Sequence, residues 1–223
     1  VLVASGVEYR RLAVPRVSEF DGAGLYYAAT ELKARLCKGE EVVVVGAGNS
    51  AGQAIVYLAR NARHVHVLVR GGDLGASMSR YLVDRVEGID NVTVSLTCKV
   101  VQLDGEGHLS AVHYVTKDGE KKKIATSSLF SFCGADANTT WLRNCVELDK
   151  KGFVTTGTSL PQGIAETERW QAAGRTPFLL ETSLPGVFAA GDVRSGSVKR
   201  VASAVGEGSM SVSFVHAYIA RPA

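Results

Sequence analysis

A glycine-rich segment in the first quarter of the chain carries the residue types that bind a dinucleotide. It reads Gly46-Ala47-Gly48-Asn49-Ser50-Ala51 and follows a run of four valines. Gly46 permits a tight turn, Gly48 lets the backbone approach a pyrophosphate, and Ala51 allows a helix to pack closely on its strand. The first residues of that helix, Asn49 and Ser50, add backbone N–H donors and a partial positive charge. The spacing predicts a dinucleotide site, and an ordinary strand–helix turn is the alternative interpretation.

The residue at the end of the next strand decides between the two nicotinamide dinucleotides. An acidic residue there accepts a hydrogen bond from the ribose 2′-hydroxyl of NAD, whereas an arginine pairs with the 2′-phosphate of NADP. The strand Val65–Val69 ends in Arg70, and no acidic residue follows before Asp73. We therefore expect NADPH, held by Arg70 with Arg80 as a second candidate. For both arginines a solvated side chain is the alternative.

Three elements around the glycines form a βαβ unit. Val42–Val45 is a continuous β-branched run, as in a parallel strand buried on both faces, and apolar residues at helical spacing follow from Ala51 to Ala62. With Val65–Val69 they make a unit of about 30 residues, the usual length.

The rest of the chain predicts further strands and helices. Beyond the βαβ unit we expect a helix over 79–86 and strands over 92–94, 100–103, 109–115 and 129–132. A hairpin strand over 149–156 and a surface loop over 157–177 should follow. The last helix should run over 201–220, with one face formed by Ala204, Val205, Gly208, Val212 and Val215.

Composition excludes several classes of function. The 223 residues carry 25 basic and 22 acidic side chains, a net charge of +3. The one dense basic run, Lys121–Lys123, borders a predicted turn, and we interpret it as a solvated hairpin rather than a nucleic-acid surface. No stretch approaches the ~20 apolar residues of a membrane span, and the four cysteines show no Cys-x-x-Cys or metal-ligand spacing. We expect a soluble cytoplasmic protein without nucleic-acid or membrane partners.

Three segments read together resemble the low-molecular-weight thioredoxin reductases and their close flavoprotein relatives. They are Gly46–Ala54, Cys133–Thr139 and Thr182–Val193, in the order and spacing of that family. The resemblance implies an α/β fold. In this fold a Rossmann-like NADPH domain, a three-layer ββα sandwich, is inserted into a partial FAD domain of the same type.

The resemblance assigns residues 16–132 to the NADPH domain and residues 1–15 with 133–223 to a FAD-domain remnant. FAD and NADPH are then the two cofactors. Ser5 and Gly6 match a turn near the FAD pyrophosphate, and Asp192, after Gly191, matches the aspartate that binds the ribityl hydroxyls. The other residues that it implies at the cofactors are Gly134 and, beside the isoalloxazine, Arg200, Val201 and Ala202.

Two departures from the family limit the chemistry. In thioredoxin reductases the redox-active Cys-x-x-Cys falls in the segment that here is Tyr26–Leu32, which holds no cysteine. Disulfide reduction needs an attacking thiolate and a resolving partner, and we expect Cys98, Cys133 and Cys145 to be inert buried thiols. The first FAD fingerprint is also not in this sequence, and we expect the natural chain to be longer.

The resemblance implies an NADPH-dependent FAD oxidoreductase that passes a hydride from NADPH to the flavin and then to an unknown acceptor, a small molecule or a protein. No acid, base or nucleophile is assigned a catalytic role, because the cofactor carries the chemistry. Two alternatives stay open: a thioredoxin-disulfide reductase that uses cysteines outside this chain, and a non-catalytic NADPH-binding sensor module. Monomer and homodimer are both compatible with the sequence.

Overall fold

A computed structural model describes residues 1–220, which divide into two compact units. The terminal unit joins residues 1–8 to the chain from residue 135 onward, and the middle unit comprises residues 9–134. The sequence analysis placed the boundaries between the two units after residue 15 and after residue 132. Leu12 and Val14 belong to the middle unit because they pack against its core.

The chain consists of short strands and helices. The strands are β1 (Leu2–Val3), β2 (Val7–Tyr9), β3 (Leu25–Tyr26), β4 (Glu41–Val45), β5 (His64–Leu68), β6 (Val92–Ser95), β7 (Lys99–Gly105), β8 (Leu109–Val115), β9 (Lys121–Ala125), β10 (Leu129–Ser131), β11 (Ala135–Ala137) and β12 (Phe188–Ala189). The α-helices are α1 (Glu31–Leu36), α2 (Asn49–Leu58), α3 (Arg80–Glu87), α4 (Glu168–Ala173) and α5 (Val201–Ile219). Among residues 1–220, none of the helices combines the length and the hydropathy of a membrane span. The same residues contain no group of three His, Cys, Asp or Glu side chains that could hold a metal ion.

The middle unit is built on a five-stranded parallel sheet in the order β3-β10-β4-β5-β6. Val42–Val44 at its centre are fully buried, which explains a continuous valine run where a sheet with one solvated face would alternate. Val45 at the end of β4 lies opposite Ser131 of β10 and Leu68 of β5. The carboxyl ends of these neighbouring strands therefore meet at one edge of the sheet.

Two apolar layers cover the faces of this sheet. On one face α2 and α3 pack through Ile55, Leu58 and Val83. On the other face the antiparallel sheet β7-β8-β9 packs through Leu103 and Val112. This is the three-layer ββα sandwich that the resemblance implies, and the fold class is confirmed.

The terminal unit brings the two halves of its sequence together in a parallel strand pair. Leu2 of β1 lies opposite Phe188 of β12, and Val3 lies opposite Ala189. Val3 and Ala189 share a small core with Val154. Both strands run in the same direction, so the turns that follow them also lie at one edge.

The predictions for the segment before β12 are only partly right. Residues 149–156 belong to a tight hairpin but form no regular strand, and Val154 makes a single antiparallel bridge to Leu148. The side chain of Asp149 closes the turn by accepting hydrogen bonds from the amides of Lys151 and Phe153. The expected surface loop over 157–177 contains α4 and short 3-10 helices at Gly157–Ser159 and Ile164–Glu166. It is anchored by Trp170, which is 1% exposed and donates its indole N–H to the carbonyl of Ser183 at 3.0 Å.

The last helix has the predicted bounds but only part of the predicted buried face. Ala204, Gly208 and Val215 are half-buried, whereas Val205 and Val212 are 67% and 54% exposed. The buried residues of α5 are instead Glu207 and Ser211. The helix is apolar on several sides, so periodicity alone could not choose the face. The buried face is determined instead by the carboxylate of Glu207, which is hydrogen-bonded to residues that are distant in the sequence.

Candidate functional site

The glycine turn after β4 leaves room for a ligand at the carboxyl edge of the parallel sheet. Gly46 has a φ of +136°, and a Cβ there would lie 2.6 Å from the carbonyl oxygen of Phe132. Only glycine therefore fits this backbone position. A Cβ at Gly48 would meet no atom within 4 Å. The backbone at Gly48 is therefore open on this side, and we refer to this open space as the cradle.

The N-terminus of α2 faces this cradle without a side-chain cap. Its first amide groups have no partner within the helix and remain available to an anion. Asn49 and Ser50 are exposed, and Ala51 is buried against the sheet. The amide of Ser79 donates to Oδ1 of Asn49 at 2.7 Å, and Ser77 Oγ donates to the carbonyl of Ala47 at 2.9 Å. Two serines that the sequence interpretation missed thus brace the turn.

The two arginines that were candidates for the 2′-phosphate have different surroundings. Arg70 follows β5, is exposed, and its side chain forms no ion pair or hydrogen bond with residues 1–220. Arg80 begins α3 and pairs with Asp84 at 2.8 Å on the same helix. Arg70 is therefore the guanidinium that is free for a phosphate, while Arg80 is shared with a carboxylate.

A phenol network occupies the carboxyl end of β3, where the resemblance implies a dithiol. Tyr27 donates its hydroxyl to Oδ1 of Asp21 at 2.8 Å, and Asp21 also pairs with Arg11 at 3.0 Å. Burial, reinforced by the contact with Asp21, raises the pKa of Tyr27 to about 12. Tyr27 therefore remains protonated at neutral pH.

Gly134, a further candidate from the sequence, has a φ of +96°, and its carbonyl accepts a hydrogen bond from the amide of Arg10 at 3.0 Å.

The four cysteines are free thiols of unequal exposure. Cys37 and Cys98 are buried, and burial raises the pKa of each thiol. The expectation that Cys133 and Cys145 are buried is wrong, since Cys133 is half-buried and Cys145 is exposed. Cys133 lies in the irregular segment that follows β10, and Cys145 lies in a turn. A buried thiol with a raised pKa is a poor nucleophile.

A second set of candidate residues lies at the carboxyl end of the β1–β12 pair. Ser5 and Gly6 follow β1, and Gly191 and Asp192 follow β12. The Ser5 hydroxyl donates to the carbonyl of Asn138 at 2.8 Å, and the Asn138 side chain donates back to the carbonyl of Ser5 at 3.0 Å. The structure thus brings together residues that are far apart in sequence. The side chain of Asp192 is half-buried and forms no hydrogen bond or ion pair with the described residues.

The first turns of α5 approach the Gly191 turn. A Cβ at Gly191, which has a φ of +76°, would lie 3.3 Å from Cβ of Ala204. Arg200, Val201 and Ala202, at the start of α5, are exposed. Glu207, one turn beyond Ala204, was not identified from the sequence. It accepts hydrogen bonds from the amide of Gly191 and from the guanidinium of Arg194.

Comparison with known proteins identifies the family of this chain. Residues 1–208 match the family model of the pyridine nucleotide-disulphide oxidoreductases. The chain belongs to this family. It is 32% identical to NADPH-dependent thioredoxin reductase 3 of Arabidopsis thaliana over 98% of this chain, and 31% identical to thioredoxin reductase of Mycoplasma genitalium over 95%. The resemblance to thioredoxin-reductase-like flavoproteins is confirmed.

Solved structures of this oxidoreductase family share the fold. Thioredoxin reductase from Streptococcus pyogenes superposes with a TM-score of 0.72 at 26% identity, and that from T. acidophilum with 0.71 at 27%. The alignments cover 98% and 97% of this chain but 65% and 64% of those chains. The chain spans 38% of the Arabidopsis and 61% of the Mycoplasma relative. The relatives' activities thus belong to longer proteins.

Proposed function

We propose that this pyridine nucleotide-disulphide oxidoreductase is an NADPH-dependent FAD oxidoreductase, in which a hydride passes from NADPH to the flavin and on to an acceptor. The carboxyl edge of the parallel sheet carries the proposal. The turn at Gly46, the uncapped start of α2 and the unpaired Arg70 all follow neighbouring strands at that edge. A tight turn, a helix N-terminus and a cation are what a phosphorylated dinucleotide requires there.

The middle unit would bind NADPH. The open backbone at Gly48 and the amides of Asn49, Ser50 and Ala51 would hold the pyrophosphate, and Arg70 would pair with the 2′-phosphate. Ser79 Oγ is buried without a hydrogen-bond partner among residues 1–220, a group of the kind that a ligand or water satisfies. Arg80 and Gly134 are secondary candidates at the same nucleotide.

The terminal unit would contribute to the FAD site. FAD, when bound, supplies the group that accepts and passes on the hydride. The turn at Ser5-Gly6 would lie near the pyrophosphate, and the carboxylate of Asp192 would accept hydrogen bonds from the ribityl hydroxyls. Arg200, Val201 and Ala202 would face the isoalloxazine. The free carboxylate of Asp192 supports this fit, since no described residue takes up its oxygens.

The acceptor we propose is reduced by the flavin itself, either a small molecule or a redox protein. Two of the relatives are named thioredoxin reductases, but the segment around Tyr27 offers a hydrogen-bonded phenol rather than a thiol pair. The thiols of the described residues are all unpaired, which fits a reducing compartment such as the cytoplasm. The direct reduction of the acceptor by the flavin and the cytoplasmic location are both part of the proposal.

Replacing Arg70 tests the nucleotide assignment. A charge-assisted contact to a phosphate contributes on the order of 1.5–3 kcal/mol, so Arg70→Ala should weaken NADPH binding by about tenfold or more. NADH has no 2′-phosphate and should change less than about twofold. The measurement is a titration of both nucleotides into the full-length protein by fluorescence or calorimetry.

Arg85→Ala is the matched control, since it removes an exposed arginine of α3 that is not a candidate for the nucleotide. It should leave the NADPH affinity close to that of the wild type. Equal losses of NADPH and NADH in Arg70→Ala would reject the assignment.

A further inference from the structure

One acidic side chain is buried in the otherwise uncharged helix α5. Glu207 is 8% exposed, although the helix around it consists of apolar and small residues. Burial of a carboxylate is unfavourable unless it is paired and hydrogen-bonded. Its placement therefore needs an explanation beyond the packing of the helix.

Both oxygens of the Glu207 carboxylate are used by the turn that follows β12. Oε2 accepts from the amide of Gly191 at 2.7 Å, and Oε1 accepts from Nη2 of Arg194 at 2.5 Å. These hydrogen bonds outweigh the effect of burial and hold the pKa of Glu207 below its ordinary value. Glu207 thus ties α5 to the residues on both sides of Asp192.

The same turn is also held from its other side. Val154 donates its amide to the carbonyl of Val193 at 3.0 Å, and Ser195 Oγ donates to Oδ2 of Asp149 at 2.7 Å. Asp192 lies between these fixed neighbours, yet its own carboxylate has no partner among the described residues. A rigidly placed and unsatisfied carboxylate is suited to accept hydrogen bonds from a ligand.

We propose that Glu207 and Arg194 are positioning residues for the flavin, fixing the Gly191 turn so that the Asp192 carboxylate meets the hydroxyls of the ribityl chain. This inference rests on the proposed function, because it takes FAD as the ligand of that turn. Glu207 itself does not touch the ligand. It acts by fixing the amide of Gly191 and the side chain of Arg194.

Glu207→Gln separates positioning from simple stabilisation. The amide side chain keeps the volume of the carboxylate, but its NH2 group must face either the Gly191 amide or the Arg194 guanidinium, both of which are donors. The turn therefore loses one hydrogen bond in either orientation. Glu166→Gln is the matched control, since Glu166 is an exposed glutamate of the same unit.

The experiment uses the full-length protein and two ligands, each titrated well below the unfolding temperature. We expect the Kd of FAD, measured by quenching of flavin fluorescence, to rise at least about tenfold in Glu207→Gln. The Kd of 2′,5′-ADP, which probes the NADPH site alone, should stay at the wild-type value. Arg194→Met, which keeps the Gly191–Glu207 hydrogen bond, is measured in parallel and carries the same criterion if Glu207→Gln does not fold.

The outcomes are distinct. A FAD Kd within about twofold of the wild type, with any loss confined to thermal stability, would overturn the positioning role while leaving the proposed function intact. A wild-type protein that binds 2′,5′-ADP but no FAD would overturn both the flavin half of the proposed function and this inference.

Discussion

Replacing Glu181 tests what holds the segment before β12 in place. Its side chain is 0% exposed. Oε1 accepts from Nη2 of Arg175 at 2.6 Å and from the amide of Gly186 at 2.7 Å. Oε2 accepts from Nη1 of Arg175 at 2.6 Å and from the amide of Phe178 at 2.9 Å. The guanidinium is itself only 8% exposed and lies 5.1 Å from the ring of Trp170.

Glu181→Gln changes the charge and hydrogen-bonding capacity of the side chain but hardly its volume. Each carboxylate oxygen accepts two donors, so either orientation of the new amide sets an NH2 group against two N–H groups. Removing one partner of a buried ion pair costs about 3–5 kcal/mol, because the other charge stays buried without compensation. We expect a loss of that size from the free energy of unfolding, a large share of the ~5–15 kcal/mol typical of a domain.

Urea unfolding followed by circular dichroism and tryptophan fluorescence measures this loss. Glu168→Gln, at an exposed glutamate of α4, is the control and should change the midpoint little. Arg175→Met/Glu181→Leu removes both charges but leaves the amides of Phe178 and Gly186 without their acceptor, so it should recover only part of the stability. A Glu181→Gln protein within about 1 kcal/mol of the wild type, at unchanged m, would refute the reasoning, since a loss that small is typical of an exposed pair.

Two further predictions concern a titrating carboxylate and the glycine turn. Hydrogen bonds, with that from His113 the strongest, hold the pKa of Asp104 well below its usual range, so its stabilising effect is present above the unfolded pKa of about 4 and is lost as pH falls below it. The Tm difference between wild type and Asp104→Asn should therefore exist at pH 5 and close progressively below pH ~4, and a constant difference across that range would contradict this. Gly48→Ala meets no atom within 4 Å and should keep the wild-type Tm while losing about tenfold or more in NADPH affinity. Gly46→Ala places its Cβ 2.6 Å from Phe132 O and should lower the Tm as well, and an unchanged Tm in calorimetry would count against the turn geometry.

Much of the middle unit could be predicted from the sequence because its elements are regular. The buried valines of β4 and the helical spacing of α2 are local patterns with clear periods. The segment over 157–177 was not predictable in the same way. Pro161, Gly163 and Gly174 interrupt the pattern, and α4 is only 6 residues long. Its helix is stabilised by the burial of Trp170, which depends on tertiary packing.

The same distinction between local sequence patterns and tertiary contacts applies to the candidate sites. Gly46, Gly48 and Arg70 could be identified as candidates because one strand–turn–helix motif and the end of one strand point to them. The hydrogen bond between Asn49 and the amide of Ser79 spans 30 residues, so no local pattern reveals it. Glu207 gave one signal, a lone charge among apolar residues of α5, but its partners are set by the fold.

The placement of the thiols limits how electrons could leave the protein. Cys37 and Cys98 are buried with raised pKa values, and buried thiols of this kind do not act as thiolates at neutral pH. The accessible Cys133 and Cys145 belong to different units, and neither is part of a Cys-x-x-Cys sequence. Tyr27 can donate a hydrogen bond but cannot exchange a disulfide. Under the proposed function, an acceptor reduced through residues 1–220 would receive its electrons from the flavin directly, and access to the ring rather than thiol chemistry would then select the acceptor.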